Sequence, residues 1–393
     1  IFSLGIEKII NNKKIKFFDS ELFNSDKSTF FALGKNAIYA ACKAIGLKKG
    51  DTVLTPVFDC DSTLSPFNLL GLNLEFYKSN PYTFEVDIDD IEKKITSDVK
   101  LLHVINHFGI PQQWDQLLDL RQRTGIPILE DNAFSLFSKY RGRRLGTFGD
   151  FSIFSIHKIL PIIDGGMLRI NSDEYSLNFT QQKAKLFYYP ERKKIIGLIL
   201  SKLGFRSIPD IIKNRILVPK KPLPPIYSDG EGYPEWKLRD EILFEFSCDV
   251  IRPMSIIAQH QIMKFSYNDY KISISKIRYY YQFIVEELKG VKGVQVLWKK
   301  ISHEMVPSCV SILIDTHRDE VLYYLRNKKY GVIAWPTYSG EVLNKINEYP
   351  EVDIMGKKIL QLMIPVYKVA KKSAESYFKR LVYDLKKINK KYN

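Results

Sequence analysis

Short β-rich runs alternate with helical patterns between residues 30 and 170, and this alternation restricts the chain to a few folds. The β-rich runs that predict strands cover residues 51–58, 97–108, 126–131, 149–157 and 165–171. The helical patterns between them cover residues 36–47, 61–72 and 112–125. Strands separated by helices indicate β-α-β units and therefore a mainly parallel sheet with helices on both faces. Because ligands of such sheets bind beyond the carboxyl ends of the strands, functional residues are expected there.

The second half of the chain follows a different pattern, which predicts a second domain. Residues 172–247 are less regular and include a loop at 218–236 that is rich in proline and glycine. Helical patterns then return, and short strands and a final amphipathic helix follow. We predict a large α/β domain over residues 1–248, with a basic, proline-rich insert at about 175–245, and a small α+β domain over residues 249–393.

The composition is that of an ordinary soluble protein. Of the 393 residues, 45% are hydrophobic and 26% are charged, and no apolar run reaches the roughly 18–20 residues that a membrane-spanning helix needs. The four cysteines are scattered and form no C-x-x-C pair, which indicates reduced thiols and argues against a structural zinc site. We therefore expect a cytoplasmic protein without a bound metal.

The formal net charge of +15 is concentrated in two segments, residues 191–221 and the C-terminal helix. Such an excess suits nucleic acid, an anionic membrane surface or small anionic ligands. No nucleic-acid motif accompanies it, so we expect no nucleic-acid partner. Within 191–221, apolar residues fall on one helical face, flanked by lysine and arginine. Three uses remain open for this segment: packing on the protein or a partner subunit, a peripheral contact with the inner face of the membrane, or a cover over an anionic substrate.

Three motifs in a fixed order carry the chemical argument. Gly34 precedes a helix whose free N–H groups favour a phosphate, and Asn36 can cap that helix. Asp131 closes a predicted strand at the ligand crevice, although an acid there is often only a cap or turn residue. Ser155 can hold a phosphate, and Lys158 can form a Schiff base with a carbonyl cofactor. A phosphate cradle, an acid and a lysine in this order are what a pyridoxal phosphate enzyme needs.

The stretch from about Ala32 to Ile170 resembles the DegT/DnrJ/EryC1/StrS family, whose members are fold-type-I, pyridoxal phosphate-dependent sugar aminotransferases. The matching text includes "GKNAIYAACKAIGLKKGDTVLTPVF", "ILEDNAFSLFSKYRGRRLGTFGDFSIFS" and "HKILPIIDGGML". The resemblance implies a large domain with a mainly parallel seven-stranded sheet flanked by helices, and a small α+β C-terminal domain. Beyond residue 250 the similarity is loose.

The resemblance also implies a role for each motif residue. Lys158, eight residues before Gly166, would carry the cofactor, and Asp131 would bind its pyridine nitrogen. The residues placed at the cofactor's phosphate are Gly34, Lys35, Asn36 and Ser155. The candidate substrate contacts are His107, His157 and Tyr338.

The chain departs from the family's pattern around the cofactor ring. Phe134 stands where a glutamine or histidine usually contacts the ring. Cys60, four residues after Pro56, stands where an aromatic residue usually stacks on it, and Phe58 or His107 could take over the stacking. These changes indicate a divergent branch of the family and leave the substrate open.

The activity implied by the resemblance is a ping-pong transfer of an amino group from an amino acid, expected to be glutamate, to a nucleotide-linked 4-keto or 3-keto deoxysugar. Such enzymes serve polysaccharide or antibiotic biosynthesis as homodimers with the site at the subunit interface. Two alternatives remain open. The first is a pyridoxal phosphate enzyme of the same fold that acts on another ketone, such as a cyclitol, or that catalyses elimination or dehydration. The second is a non-catalytic family member. The retained Lys158 and Asp131 argue against the non-catalytic alternative, whereas the altered ring contacts Cys60 and Phe134 keep the other one open.

Overall fold

The structure is a computed structural model that describes residues 21–23, 26–177, 183–185, 251–335, 338–369 and 371–392. The basic segment 191–221 and most of the insert predicted at about 175–245 lie outside these described residues. The uses considered for the basic segment therefore stay predictions. Every helix within the described residues falls short of the length or apolarity that crossing a membrane requires.

A seven-stranded sheet organises the first half of the chain. The strands in this half are β1 (Ser28–Phe31), β2 (Thr52–Pro56), β3 (Asn73–Tyr77), β4 (Val99–Ile105), β5 (Ile128–Asp131), β6 (Lys139–Tyr140), β7 (Arg143–Arg144), β8 (Phe151–Phe154) and β9 (Gly166–Ile170). Strands β6 and β7 form a separate hairpin, and the other seven form one sheet in the order β1-β9-β8-β5-β4-β2-β3. Only the pairs made by β9 are antiparallel in this sheet. The predicted mainly parallel seven-stranded sheet is confirmed.

Helices cover both faces of this sheet. They are α1 (Gly34–Ile45), α2 (Asp61–Leu69), α3 (Ile88–Lys94), α4 (Trp114–Thr124) and α5 (Ile156–Ile159), and a 3-10 turn at His107–Gly109 follows β4. Side chains alternate between the two faces, so Leu101 of β4 packs in a core with residues of α1 and α2, whereas Leu102 packs with residues of α3 and α4. Strand β4 is therefore buried almost throughout, as expected for a central parallel strand.

The C-terminal part contains a second sheet. Its elements are α6 (Ile256–Met263), α7 (Tyr267–Glu287), β10 (Val294–Val296), β11 (Cys309–Ile314), α8 (Arg318–Asn327), β12 (Val332–Ile333), α9 (Gly340–Asn344), α10 (Pro350–Lys358), β13 (Ile359–Met363), α11 (Val366–Val369) and α12 (Ala374–Tyr392), with a 3-10 turn at Ile346–Glu348. The four strands are antiparallel in the order β10-β11-β13-β12. Helices α7 and α8 contact both this sheet and α12.

Hydrogen bonds lock the loop after β4 to the segment before β11. The Ser308 N–H donates to the Phe108 carbonyl at 2.8 Å. The Ser138 hydroxyl donates to the Gly109 carbonyl at 2.6 Å and accepts the Val306 N–H at 2.9 Å. Gly109 has a φ of +94°, and a Cβ at this position would lie 2.6 Å from the Val306 carbonyl oxygen. The junction between the two sheets is therefore closely packed and requires a glycine.

Candidate active site

The carboxyl ends of four neighbouring parallel strands, β8, β5, β4 and β2, meet at one edge of the large sheet. Asp131 is the last residue of β5, and Ser155 follows β8. Cys60 lies in the loop after β2, and His107 lies directly beyond β4. Lys158 lies in α5, just after Ser155. The topology therefore brings predicted site residues from distant parts of the chain to the edge where ligands bind.

Gly34 and Ser155 are in close contact at the start of α1. A Cβ on Gly34 would lie 3.2 Å from the Ser155 Cβ and 3.5 Å from its hydroxyl oxygen, so a larger residue would crowd this space. Gly34 opens a helix of 12 residues, whose first N–H groups find no carbonyl partner inside the helix. With the Ser155 hydroxyl beside them, these groups form a set of donors suited to a phosphate.

Lys35 and Asn36 differ in what they can offer an anion. The Asn36 side-chain oxygen accepts the Leu33 N–H at 3.1 Å, so this residue caps the start of α1, as its position suggested. Lys35 is half-buried, and its charge acts on Asp61. Burial raises the pKa of Asp61, Glu341 raises it further and Lys35 lowers it. Of these two residues, Lys35 is therefore the one whose positive charge could attract an anion.

The Asp131 carboxylate lies between a backbone donor and an imidazole. Its Oδ1 accepts the Ala133 N–H at 2.7 Å, and its Oδ2 lies 3.6 Å from Nε2 of His103. The side chain is only 3% exposed. A carboxylate shielded from water in this way interacts strongly with a nearby cation, such as a protonated ring nitrogen. This environment suits the role that the sequence predicts for Asp131.

Its neighbour Glu130 has a different environment. The two Glu130 carboxylate oxygens accept the N–H groups of Gly146, Phe148 and Gly149 at 2.6, 2.9 and 3.2 Å. The Ser152 hydroxyl donates to the same carboxylate at 2.9 Å. Glu130 is therefore an internal anchor for the chain segment between β7 and β8.

The Lys158 side chain is exposed and lies over the ring of Phe134. Its Nζ is 4.2 Å from the ring centroid, the geometry of a cation–π contact. The Lys158 charge also reaches Cys60: burial raises the pKa of the Cys60 thiol, Asp59 raises it further and Lys158 lowers it. The two residues that depart from the family's pattern therefore both lie beside the predicted cofactor lysine.

Cys60 itself is 7% exposed and sits at the start of α2. Its sulfur lies 3.0 Å from the Ser62 hydroxyl and 3.2 Å from the Thr63 hydroxyl. Because burial and the adjacent Asp59 raise the pKa of this thiol, it is neutral near pH 7. A neutral, buried thiol can pack against a ring but offers it no charge.

A largely buried aromatic cluster includes Phe134, the ring beneath Lys158. Its members are Phe58, Phe84, His107, Phe108, Phe134 and Trp335. Trp335, which follows β12, has its ring 5.3 Å from Phe58 and 5.5 Å from His107, measured between centroids. The C-terminal part of the chain thus contributes Trp335 to the packing around Phe134. Nothing in the sequence around Trp335, apart from its residue type, indicates this position.

Both residues considered for ring stacking are packed inside this cluster. Phe58 stacks on Phe84 with ring centroids 4.9 Å apart. His107 is 2% exposed, and its Nε2–H donates to the Phe58 carbonyl at 3.2 Å. Burial lowers the pKa of His107 to about 4, so its ring is neutral at physiological pH. The role of either ring towards a cofactor or substrate stays a prediction.

The other two candidate substrate contacts hydrogen-bond to backbone carbonyls. The Tyr338 hydroxyl donates to the Val352 carbonyl at 2.9 Å, and the side chain is 4% exposed. The His157 Nδ1–H donates to the Gly165 carbonyl at 3.1 Å, next to the Ser155 hydroxyl. Each residue therefore supports the local chain, and a substrate contact by either stays a prediction.

The fold is similar to that of solved pyridoxal phosphate-dependent aminotransferases. A putative sugar aminotransferase from Streptococcus pneumoniae, in its PLP form, matches with a TM-score of 0.65 over 99% of this chain and 96% of its own, at 14% identity. Residues 14–187 match the sequence model of the DegT/DnrJ/EryC1/StrS aminotransferase family. The resemblance seen in the motifs of this part of the chain is therefore confirmed by a family model.

Two curated relatives match over shorter segments. GDP-perosamine synthase of Escherichia coli O157:H7 is 31% identical over 146 residues, which is 37% of this chain and 40% of the relative. GDP-4-keto-6-deoxy-D-mannose 3-dehydratase of Yersinia pseudotuberculosis is 29% identical over 164 residues, 39% of this chain and 42% of the relative. The chain thus matches about two fifths of the length of these relatives.

Proposed function

We propose that this protein is a pyridoxal phosphate-dependent aminotransferase. It moves an amino group from an amino acid, expected to be glutamate, to a keto sugar carried on a nucleotide, in a ping-pong sequence. The observation that carries the proposal is the placement of Lys158, Asp131 and the Gly34–Ser155 contact at one edge of the sheet. The family match supports the reaction class, and the names of both relatives, which contain a GDP-linked sugar, support the acceptor class.

In this proposal, each site residue has a separate role toward the cofactor. When bound, the cofactor supplies an aldehyde for covalent attachment and a ring that delocalises electrons. The Gly34 end of α1 and the Ser155 hydroxyl bind the phosphate. The Asp131 carboxylate holds the proton of the ring nitrogen. The Lys158 amine attaches the cofactor and afterwards moves a proton at its Nζ, a function for which its exposed position leaves room.

The dehydratase among the relatives gives a second candidate, removal of a hydroxyl group from a keto deoxysugar. Retention of Lys158 favours amino transfer, because the resemblance implies that relatives which dehydrate instead have histidine in place of this lysine. We also propose a homodimer with the site at the subunit interface, in the cytoplasm. Light scattering of the purified protein measures that oligomeric state.

The test is a visible absorbance spectrum of the protein with added pyridoxal 5′-phosphate, recorded for wild type, Lys158→Ala and Lys100→Ala. Lys100 is an exposed lysine at the opposite end of β4 and is the matched control. Attachment of the cofactor should give a visible band in wild type and Lys100→Ala and none in Lys158→Ala. Glutamate should bleach that band, and mass spectrometry should then detect an amino sugar when a keto nucleotide sugar is added.

Each negative outcome removes a different part of the proposal. Absence of a band in wild type with excess cofactor rules out the enzyme class. A band that persists in Lys158→Ala rules out this lysine. A band that no amino acid bleaches, with loss of water from the keto sugar, replaces the aminotransferase by the dehydratase.

A further inference from the structure

A row of polar side chains lies behind Asp131, inside the sheet. His103 is on β4 and Thr55 is on β2, and both are completely buried. Their strand neighbours, such as Leu102 and Val104, are apolar. A residue that only filled space at position 103 would be apolar as well, because burying an imidazole costs free energy unless its nitrogens find partners. The histidine therefore calls for a functional explanation.

The register of the sheet explains why these residues meet. Strands β2, β4 and β5 are adjacent, and His103 lies opposite Leu129 while Ile105 lies opposite Asp131. Residues two apart share a face, so His103 and Asp131 project from the same face of the sheet as diagonal neighbours. The ring of Phe67 packs edge-on against the imidazole, with centroids 5.6 Å apart, and fixes its plane.

The tautomer of His103 depends on the direction of its hydrogen bond with Thr55. The Thr55 hydroxyl lies 2.9 Å from Nδ1. If the hydroxyl donates to Nδ1, the ring proton is on Nε2, which points at Oδ2 of Asp131 from 3.6 Å. Nε2 has no hydrogen-bond partner among the described residues, and the Asp131 carboxylate is an acceptor that lies close to it.

A second carboxylate, Asp59, faces the other side of the imidazole. Its Oδ2 lies 3.9 Å from Nδ1 of His103 and has no hydrogen-bond partner within the described part of the chain. Burial raises the pKa of Asp59 to about 7, His103 lowers it and Asp131 raises it. The two carboxylates and the imidazole therefore act on each other electrostatically, in a region closed to water.

We propose that His103, held by Thr55, is a positioning residue that orients the Asp131 carboxylate and supports its negative charge toward the ring nitrogen of the cofactor. This inference rests on the proposed function, because the proposed cofactor supplies the ring nitrogen that Asp131 would contact. His103 does not touch the cofactor in this arrangement and acts only through Asp131.

The test measures binding of pyridoxal 5′-phosphate by equilibrium dialysis, together with the visible circular dichroism of the bound cofactor. The variants are His103→Leu, which removes both nitrogens, and His103→Gln, whose amide can donate to Asp131. Thr55→Val removes the hydroxyl while keeping the shape. Thr52→Val, on the same strand but away from His103, is the matched control.

We expect His103→Leu to weaken cofactor binding about 10- to 100-fold, because it removes the imidazole N–H that, in this proposal, donates to the Asp131 carboxylate when the cofactor is bound. His103→Gln should recover part of that loss, and Thr55→Val should weaken binding about two- to tenfold, as for a neutral hydrogen bond. Thr52→Val should match wild type. The circular dichroism band should change shape in His103→Leu, since Asp131 then no longer fixes the ring.

Wild-type affinity and an unaltered band in His103→Leu and Thr55→Val would overturn the inference while leaving the proposed function intact. Failure of the wild-type protein to bind the cofactor would overturn both. If His103→Leu does not fold, the test rests on Thr55→Val and His103→Gln. The positioning role is refuted if both of these variants bind the cofactor as tightly as wild type does. A loss in His103→Leu that His103→Gln does not relieve at all also refutes it, since a donor to Asp131 is then not what matters.

Discussion

Glu130 and Asp131 are adjacent carboxylates at the end of one strand, yet the two faces of the sheet give them opposite roles. Glu130 accepts three backbone N–H groups from the segment that leads into β8, the Ser152 hydroxyl of β8 itself and the side-chain amide of Asn106. Asp131 has one backbone donor and otherwise faces an imidazole at the ligand edge. Burial alone therefore does not single out the acid that is predicted to bind the cofactor. What distinguishes Asp131 is a charge that the fold leaves incompletely neutralised.

The largest expected effect on stability follows from Glu130→Ala. The change leaves several buried donors without an acceptor, and each such group costs about 1–3 kcal/mol, so we expect a loss of at least about 3 kcal/mol in the free energy of unfolding. Urea denaturation measures it. Glu92→Ala, which breaks a surface ion pair with Arg123, is the control and should cost less than about 1 kcal/mol. Equal losses in the two variants would remove the structural role assigned to Glu130.

Asp131→Asn should lower activity strongly and stability only slightly. An amide cannot hold a proton on the ring nitrogen, so we expect kcat to fall about 10²–10³-fold, the usual cost of removing one preorganised electrostatic contact. Urea denaturation should show a much smaller change than in Glu130→Ala. The exposed Asp119→Asn on α4 is the control for both measurements. An Asp131→Asn enzyme with wild-type kcat would contradict the assignment of Asp131 to the cofactor.

Asp59→Asn should change how stability depends on pH. The pKa of Asp59 is raised to about 7 in the folded protein, so the folded state holds this proton more tightly than the unfolded state does. The contribution of Asp59 to stability is therefore present at low pH and is lost as pH rises from about 4 to about 7. The variant lacks this loss, so its stability relative to wild type should increase across the same range.

The size of this effect is bounded. One pKa unit corresponds to about 1.4 kcal/mol, so the change cannot exceed about 4 kcal/mol. Urea unfolding at several pH values between 4 and 8 measures it, with Asp119→Asn as reference. Parallel curves for wild type and Asp59→Asn would show that Asp59 ionises normally.

Phe134→Leu should give the smallest effect. It removes the ring beneath the Lys158 amine, and an exposed cation–π contact is worth about 0.5–1 kcal/mol, equivalent to a two- to fivefold change in an equilibrium. We expect Lys158 in the cofactor-free protein to react two- to fivefold faster with an amine-directed reagent. Peptide mapping by mass spectrometry follows Lys158 with Lys100 as internal reference. An unchanged ratio would mean that the ring does not hold the lysine.

The sequence predicted Lys158 and Asp131 because Asp131 ends one predicted strand and Lys158 directly follows another, in an order that a known family uses. It did not predict His103, because a histidine inside the run "LLHVI" has no local signal that separates a core residue from a functional one. Its role appears only when the register sets β4 between β2 and β5. Trp335 was missed for the same reason, since only the tertiary fold carries it to the site.

The fold was predictable where periodicity was strong. Five strands of the large sheet follow from the sequence, whereas the edge strands β1 and β3 do not. An edge strand has a neighbour on one side only, and both of these are short and only partly buried, so their sequences lack the continuous apolar run of β4. Helix α3 has seven residues, of which only Ile91 is buried, so its helical period is barely visible.

The hydrogen bonds that tie Phe108 and Gly109 to residues 306–308 have a consequence for how the molecule unfolds. A hinge at this point would have to break backbone hydrogen bonds and separate a glycine from a carbonyl that it touches. The two sheets are therefore coupled energetically and should lose structure together. A single calorimetric transition, with equal calorimetric and van't Hoff enthalpies, is the expected signature of that cooperativity.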